Sequence, residues 1–153
     1  MLEHLVRFVG LFCLGLAAGI AVCVLLTDRI QAGTGQFYTE LMQLLNRALT
    51  VPAPALGALG LVAMSADSVL LFERGGGAAF WVSVSAVLLN LVALGLTRFG
   101  HFPINAQIFQ WSPASPPAHW TRVQMRWSAL HVGRTCSAVG SFALFLLGNS
   151  LSG

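Results

Sequence analysis

The feature that most constrains this chain is a series of long runs without charge. Residues 8–27, 75–97 and 135–153 contain no Asp, Glu, Lys or Arg, and residues 48–72 contain only Asp67. About 20 apolar residues are enough to cross the hydrocarbon core of a bilayer as an α-helix. Since a helix satisfies its own backbone hydrogen bonds, it is also stable in lipid. The sequence therefore predicts an all-α fold, an integral membrane four-helix bundle.

We expect a single membrane domain, residues 1–153, and its composition is that of a membrane protein. Only 8% of the residues are charged and 56% are hydrophobic, whereas a soluble domain carries about 25% charged residues. This composition excludes a soluble globular protein, and its hydrophobicity excludes a disordered chain. A net charge of +3 is too sparse for a nucleic-acid-binding surface. The long runs without charge predict four membrane spans, at residues 6–27, 51–72, 77–97 and 132–151.

The arginines predict the orientation, because cytoplasmic loops are enriched in basic residues. Arg7 and Arg74 lie on one side of the predicted membrane, and the other six arginines lie opposite. The sequence thus predicts a multi-pass protein of the cell membrane with both termini outside and with cytoplasmic segments 28–50 and 98–131. The six arginines on the predicted cytoplasmic side are Arg29, Arg47, Arg98, Arg122, Arg126 and Arg134.

Both cytoplasmic segments are longer than a simple bundle needs. Phe37, Leu41, Leu44 and Ala48 are spaced as an apolar stripe on a helix, whereas residues 98–114 suggest irregular structure. Ser115 followed by Pro116 and Pro117 is a helix-start signal. The helix that follows is too long for the bilayer alone, so we expect the bundle to extend on the cytoplasmic side.

The start of the last predicted helix carries the most informative pattern. Trp120, Val123, Trp127, Leu130 and Arg134 recur every three or four residues, which predicts a seam that faces other helices. His131 shares that face. Ionisable groups at the membrane boundary are costly, so they often mark a functional site.

Structural interpretations of these residues stay open beside the functional one. His131 alone is compatible with a hydrogen-bonded interfacial histidine, and Arg134 with an anchor whose charge reaches the interface. Asn90 is either a hydrogen-bonding link between helices or part of a pocket. Asp67 either pairs with Arg74 or belongs to a proton path.

No cofactor is predicted, and a bound metal or haem stays an open alternative. His101, His119 and His131 lie on the same side of the membrane, but their spacing matches no ligand motif, and only Asp28 and Glu40 supply carboxylates there. Non-haem iron usually takes two His and one carboxylate. The three free cysteines fit small buried apolar residues.

Several motifs resemble the anthrone-oxygenase-like family of small four-helix membrane proteins. They are Phe102-Pro103-Ile104-Asn105, the P-P-x-x-W of residues 116–120, and R-W-x-x-x-H-x-x-R-T over residues 126–135. The start of the second span, with Gln43, Asn46, Arg47 and Pro52, also fits that family.

The resemblance implies oxidation of a polycyclic phenolic substrate, anthrone to anthraquinone, with O₂ as co-substrate and without an organic cofactor. In such a reaction His131 serves as the base and Arg134 stabilises the enolate oxygen. The expected partners are a hydrophobic aromatic small molecule and the lipid bilayer, and self-association stays open. The residues expected to bind substrate are Trp127, Asn105, Trp120, Asn90, Gln43 and Arg47.

Two other classes of function remain. The same pocket fits a non-catalytic small-molecule-binding or transport-accessory protein, in which substrate binds without turnover. A structural membrane subunit would tolerate replacement of His131 and Arg134.

Overall fold

The computed structural model describes residues 1–30 and 33–152, with the side chains of residues 29 and 30 excepted. The described residues form six α-helices, and a short π-helical segment, Leu96–His101, joins the fourth to the fifth. The six helices are α1 (Leu2–Ile30), α2 (Gly35–Leu49), α3 (Pro52–Glu73), α4 (Ala78–Gly95), α5 (Phe102–Phe109) and α6 (Trp120–Leu151).

Four helical runs are long and apolar enough to cross a membrane, which confirms the predicted helical membrane bundle. α1 packs on α3, α3 on α4, α4 on α6 and α6 on α1, so the four long helices close into a ring. Leu14, Met64, Ala86 and Phe145 form a buried cluster within the bundle, while other large apolar side chains such as Phe12 and Trp81 are exposed. The four runs are Leu2–Asp28, Pro52–Glu73, Ala78–Phe109 and Trp120–Leu151.

Glycines allow both a tight turn and a close helix crossing. Gly75, Gly76 and Gly77 connect α3 to α4 and all have positive φ, a backbone conformation that glycine adopts without steric cost. At Gly60, an added Cβ would lie 2.7 Å from a methyl carbon of Leu14 in α1. The crossing of α1 and α3 therefore depends on a residue without a side chain, as expected for helices in lipid.

The prediction of irregular structure over residues 98–114 is wrong for most of that segment. The chain stays helical from Ala78 to Phe109, and its hydrogen bonds widen to a π-helical pattern at Leu96–His101. Pro103 lies in the first turn of α5. Proline has no N–H and clashes with the preceding turn of an α-helix. A π-helical turn accommodates such a break without ending the helix, so the helix continues past Pro103.

The last helix starts later than the sequence predicts. α6 begins at Trp120, whereas Ser112 and Ser115 form an isolated antiparallel bridge within a turn. Ser115 therefore does not cap a helix, because Pro116 and Pro117 lie outside the helical region. The predicted seam of α6 is confirmed, with Trp127 buried and its neighbours along the seam partly buried.

The amphipathic helix α2 covers one end of the bundle. Tyr38 and Met42 are buried against α5 and α6, whereas Phe37 and Leu44 of the predicted apolar stripe are exposed. Burial of Tyr38, together with the nearby charge of Asp28, raises the pKa of its phenol, so this hydroxyl stays protonated. The apolar stripe thus lies on the outer face of α2, where it can contact lipid.

Candidate functional site

A cavity of about 100 Å³ lies beneath α2, at the end of the bundle that the arginines assign to the cytoplasm. Apolar side chains of α1, α2 and α3 form much of its wall. Polar groups converge on it from α2, from the long run Ala78–Phe109 and from α6. These polar residues are Asn46, Asn90, Thr97, His101, Asn105 and Arg134.

One face of the long run Ala78–Phe109 supplies most of these polar groups. Asn90, Thr97, His101 and Asn105 follow one another at helical spacing through the π-helical segment. The Asn90 side chain donates to the carbonyl of Gly57 in α3 at 3.3 Å. The amide oxygen of Asn105 accepts from the indole N–H of Trp127 at 2.9 Å. Asn90 therefore links two helices and lines the cavity, so both interpretations of it hold.

Three aromatic rings form a cluster beside the cavity, which we call the imidazole–indole cluster: His101, Trp127 and His131. The rings of Trp127 and His131 stack with centroids 4.7 Å apart. The ring of His101 stands nearly perpendicular to both, at 5.2 Å from Trp127 and 5.9 Å from His131. This packing fixes the orientation of both imidazoles.

Both ring nitrogens of His131 have protein partners. Its Nδ1 lies 2.7 Å from Nη2 of Arg134, and its Nε2 lies 3.1 Å from the carbonyl oxygen of Ala21 in α1. A guanidinium only donates and a carbonyl only accepts. The two partners therefore select the tautomer with a proton on Nε2 and an acceptor at Nδ1.

The other imidazole is only half satisfied. Nδ1 of His101 lies 3.1 Å from the carbonyl oxygen of Leu96, so Nδ1–H donates to it. His101 is 1% exposed, and its Nε2 has no hydrogen-bond partner among the side chains and backbone that the structure describes. His101 lines the cavity, so a ligand bound there would lie against a residue that has an unpaired ring nitrogen.

The guanidinium of Arg134 has no counterion in the described part of the chain. Its Nη2 donates to His131, and its Nε is buried without a partner. The ion pairs among the described residues involve Arg7, Arg74, Glu3 and Asp67. Such a cation within a membrane bundle is costly, and it is suited to an oxygen that acquires negative charge.

Comparison with known families identifies the family of this chain. The family model described as anthrone oxygenase matches residues 41–144, more than half of the chain. The chain belongs to the anthrone oxygenase family. No curated protein matches the chain significantly, and no solved structure does.

The region matched to the anthrone oxygenase family contains all eight site residues predicted from sequence. Four of them line the cavity: Arg134, Trp127, Asn105 and Asn90.

The other four do not line the cavity. His131 lies behind it in the imidazole–indole cluster, while Arg47 is exposed. The remaining two stabilise α2: Gln43 donates to the carbonyls of Ile108 and Trp111, and Trp120 packs against Tyr38.

His101 is a pocket residue that the sequence pattern did not predict. Its spacing from Asn90, Thr97 and Asn105 is the signal that would have found it, provided that the helix was continued through Pro103. Asn46, which the sequence indicates only through the family resemblance, also lines the cavity, and its side-chain nitrogen has no hydrogen-bond partner in the described part of the chain. No group of three or more metal-binding side chains occurs among the described residues, and a cofactor-free reaction stays a prediction.

A second space lies next to the cavity, between α1 and α2. This groove has a volume of about 370 Å³, and Gly15, Gly19 and Cys23 lie along it. Four aliphatic residues line both the groove and the cavity and so form a shared wall between them. They are Ile20, Val24, Leu45 and Leu49.

Proposed function

We propose that this protein is a membrane-embedded oxygenase that converts a hydrophobic polycyclic phenol of the anthrone type to the quinone, using O₂. Membership of the anthrone oxygenase family supports an oxygenase-like role. The alternative is a non-catalytic binding or transport-accessory protein with the same pocket. Turnover distinguishes the two.

The observation that carries the proposal is that one mostly apolar cavity is lined by both a partly buried cation and an imidazole with an unpaired nitrogen. These residues are Arg134 and His101, and each has a polar atom with no hydrogen-bond partner among the described residues. An anthrone offers complementary groups: a ketone oxygen that becomes anionic and an acidic methylene opposite to it. Buried donors that face a developing oxyanion contribute strongly to catalysis.

The chemistry balances without a further redox partner. An imidazole of the cluster removes one methylene proton, and Arg134 stabilises the enolate oxygen. The carbanion carbon then reduces O₂, forms a C–O bond and takes up a proton to give an organic hydroperoxide. Loss of the second C–H proton and cleavage of the O–O bond give the new carbonyl and water. One oxygen atom therefore enters the product and the other leaves as water.

The size of the cavity requires its wall to move. An apolar cavity of about 150 Å³ holds one benzene ring, whereas this cavity measures about 100 Å³. Rotation of Leu45 and Leu49 in the shared wall would join the cavity to the groove between α1 and α2. We propose that a three-ring substrate enters from the bilayer by this route. The cytoplasmic position of this end, and the outside position of both termini, stay predictions.

The decisive experiment is anthrone oxidation by the purified protein in lipid nanodiscs. Because anthrone also oxidises spontaneously, empty nanodiscs provide the background rate. We expect consumption of one O₂ for each anthraquinone formed, transfer of one atom of ¹⁸O₂ to the product, and the same rate after chelator treatment. Saturable binding of anthrone with no rate above background would instead support the binding-protein alternative.

A further inference from the structure

We propose that His101, rather than His131, is the catalytic base, and that His131 and Arg134 form a pair in which the imidazole positions the guanidinium. This assignment rests on the proposed oxidation. It changes the role that the sequence pattern of α6 favours for His131. It also adds a catalytic residue from the π-helical segment.

The hydrogen bonds of His131 make it unsuitable as a base. Its only acceptor nitrogen, Nδ1, already receives a hydrogen bond from Arg134, and its Nε2–H donates to Ala21 of α1. Unlike His101, it does not line the cavity. To accept a substrate proton, His131 would have to break its bond with Arg134 and turn towards the cavity, against its stacking on Trp127.

The same bonds suit His131 for positioning. A guanidinium with no counterion can adopt several rotamers, and a hydrogen bond from Nη2 to a buried, stacked ring selects one of them. The remaining donors of Arg134 are then left for a ligand, because Nε has no partner among the described residues. His131 in turn is held by the backbone of α1, which also lines the cavity.

The ring of His101, unlike that of His131, has one nitrogen without a hydrogen-bond partner among the described residues. The carbonyl of Leu96 holds the proton on Nδ1, which in the neutral ring leaves the lone pair on Nε2. Perpendicular packing against Trp127 and His131 fixes the ring plane. Because His101 lines the cavity and its Nε2 is unpaired, proton uptake there breaks no existing hydrogen bond. General acid–base catalysis needs a group that can reach the substrate proton directly.

The proton transfers of the proposed reaction follow from this placement. Nε2 of His101 takes one methylene proton, while the electron pair of the broken C–H bond stays on the substrate as an enolate. After O₂ adds to the carbon, the imidazolium returns that proton to the peroxide oxygen. The neutral His101 can then accept the second C–H proton as the O–O bond breaks, and that proton ends in water.

Two asparagine variants separate the two histidines. In His101→Asn, the side-chain amide N–H replaces Nδ1–H opposite Leu96 and the Nε2 position is lost. In His131→Asn, the side-chain amide oxygen replaces the Nδ1 acceptor opposite Arg134. We expect His101→Asn to lower kcat by about 10²- to 10⁴-fold. We expect His131→Asn to lose less than about tenfold, since it keeps the hydrogen bond to Arg134.

The assay measures anthraquinone formation per folded molecule in nanodiscs, with normal anthrone and with anthrone dideuterated at the methylene. Folded protein is quantified by size-exclusion chromatography and circular dichroism. Because loss of the base should make C–H cleavage the slow step, we expect the primary isotope effect to be larger in His101→Asn than in the wild type. Added imidazole should partly restore His101→Ala, which opens space in the cavity wall, and should not restore His131→Ala.

Each outcome decides between the assignments. An active wild type with an undiminished His101→Asn variant would overturn the role of His101 and leave the proposed oxidation intact. So would a large loss confined to His131→Asn. If both variants lose activity, imidazole rescue confined to His101→Ala supports the proposal, and any other rescue pattern refutes it. A wild type with no rate above background would overturn the proposed oxidation and this assignment with it.

Discussion

The two ends of the bundle differ in whether their charged side chains have a counterion. Near the chain termini, Asp67 of α3 is 1% exposed and accepts a 2.8 Å hydrogen bond from Nε of Arg7 in α1. Arg7 also pairs with Glu3, which in turn accepts from Arg74 beyond α3. At the opposite end, Arg134 has no carboxylate partner among the described residues, and the groups around it face a cavity.

The ion pairs near the chain termini suit a structural role, whereas the unpaired cation at the opposite end suits ligand binding. An ion pair between two helices fixes their register, because removal of either partner leaves an uncompensated buried charge. A cation with unpaired donors at a cavity contributes no such link, and its cost is recovered only when a ligand supplies negative charge. Substitutions at the first end should therefore change stability, and substitutions at the second end should change catalysis.

The largest stability effect is expected for Asp67→Ala. Loss of one partner from a buried ion pair typically costs about 3–5 kcal/mol, and we expect about 3 kcal/mol because Arg7 keeps Glu3 as a partner. Unfolding of the detergent-solubilised protein, followed by circular dichroism with increasing denaturant, measures this change. Activity per folded molecule should stay close to that of the wild type.

Arg74→Ala is the control for that prediction. The Arg74 side chain is 59% exposed, and ion pairs of exposed side chains contribute little to stability. We expect no large change in the denaturation midpoint. A destabilisation equal to that of Asp67→Ala would mean that the whole ion-pair chain, rather than the buried pair, fixes α1 against α3.

Arg134→Lys, in contrast to Asp67→Ala, should lower activity rather than stability. Lysine keeps the charge but lacks the planar guanidinium that donates to His131 and to a ligand at the same time. Loss of one donor to a developing oxyanion typically lowers kcat by about 10²- to 10³-fold. Anthraquinone formation and denaturation should be measured on the same preparation. If Arg134→Lys retains normal turnover, Arg134 is an interfacial anchor rather than a catalytic group.

The smallest predicted effect, a change in KM, tests the proposed route by which substrate enters from the bilayer. Among the described residues, and apart from the backbone of its own helix, a Cβ at Gly19 or at Gly95 meets no atom within 4 Å, so both positions have room for a side chain. Gly19 lines the groove between α1 and α2, whereas Gly95 lines neither the groove nor the cavity. We expect Gly19→Phe to raise KM several-fold with little change in kcat, and Gly95→Phe to leave both unchanged. Equal kinetics for the two variants would exclude the groove as the route.

The family, the four spans and the inward seam of α6 could all be predicted from the sequence. Span formation depends mainly on the summed hydropathy of about 20 consecutive residues, which is a local property. The shared face of Trp127, His131 and Arg134 likewise follows from helical spacing alone, and the structure confirms it. Two turns of helix fix these relationships before any other helix packs against them.

The tertiary structure decided which polar groups meet. Asp67 pairs with Arg7 of α1, not with Arg74 as sequence proximity suggested, because α1 and α3 pack side by side. Continuation of the helix past Pro103 points His101 into the cavity, and Ala21 of α1 takes up one nitrogen of His131. The sequence alone determined which segments enter the membrane and which face of α6 turns inward. Only packing between distant segments could decide which imidazole keeps a free nitrogen, since that depends on hydrogen-bond partners contributed by other helices.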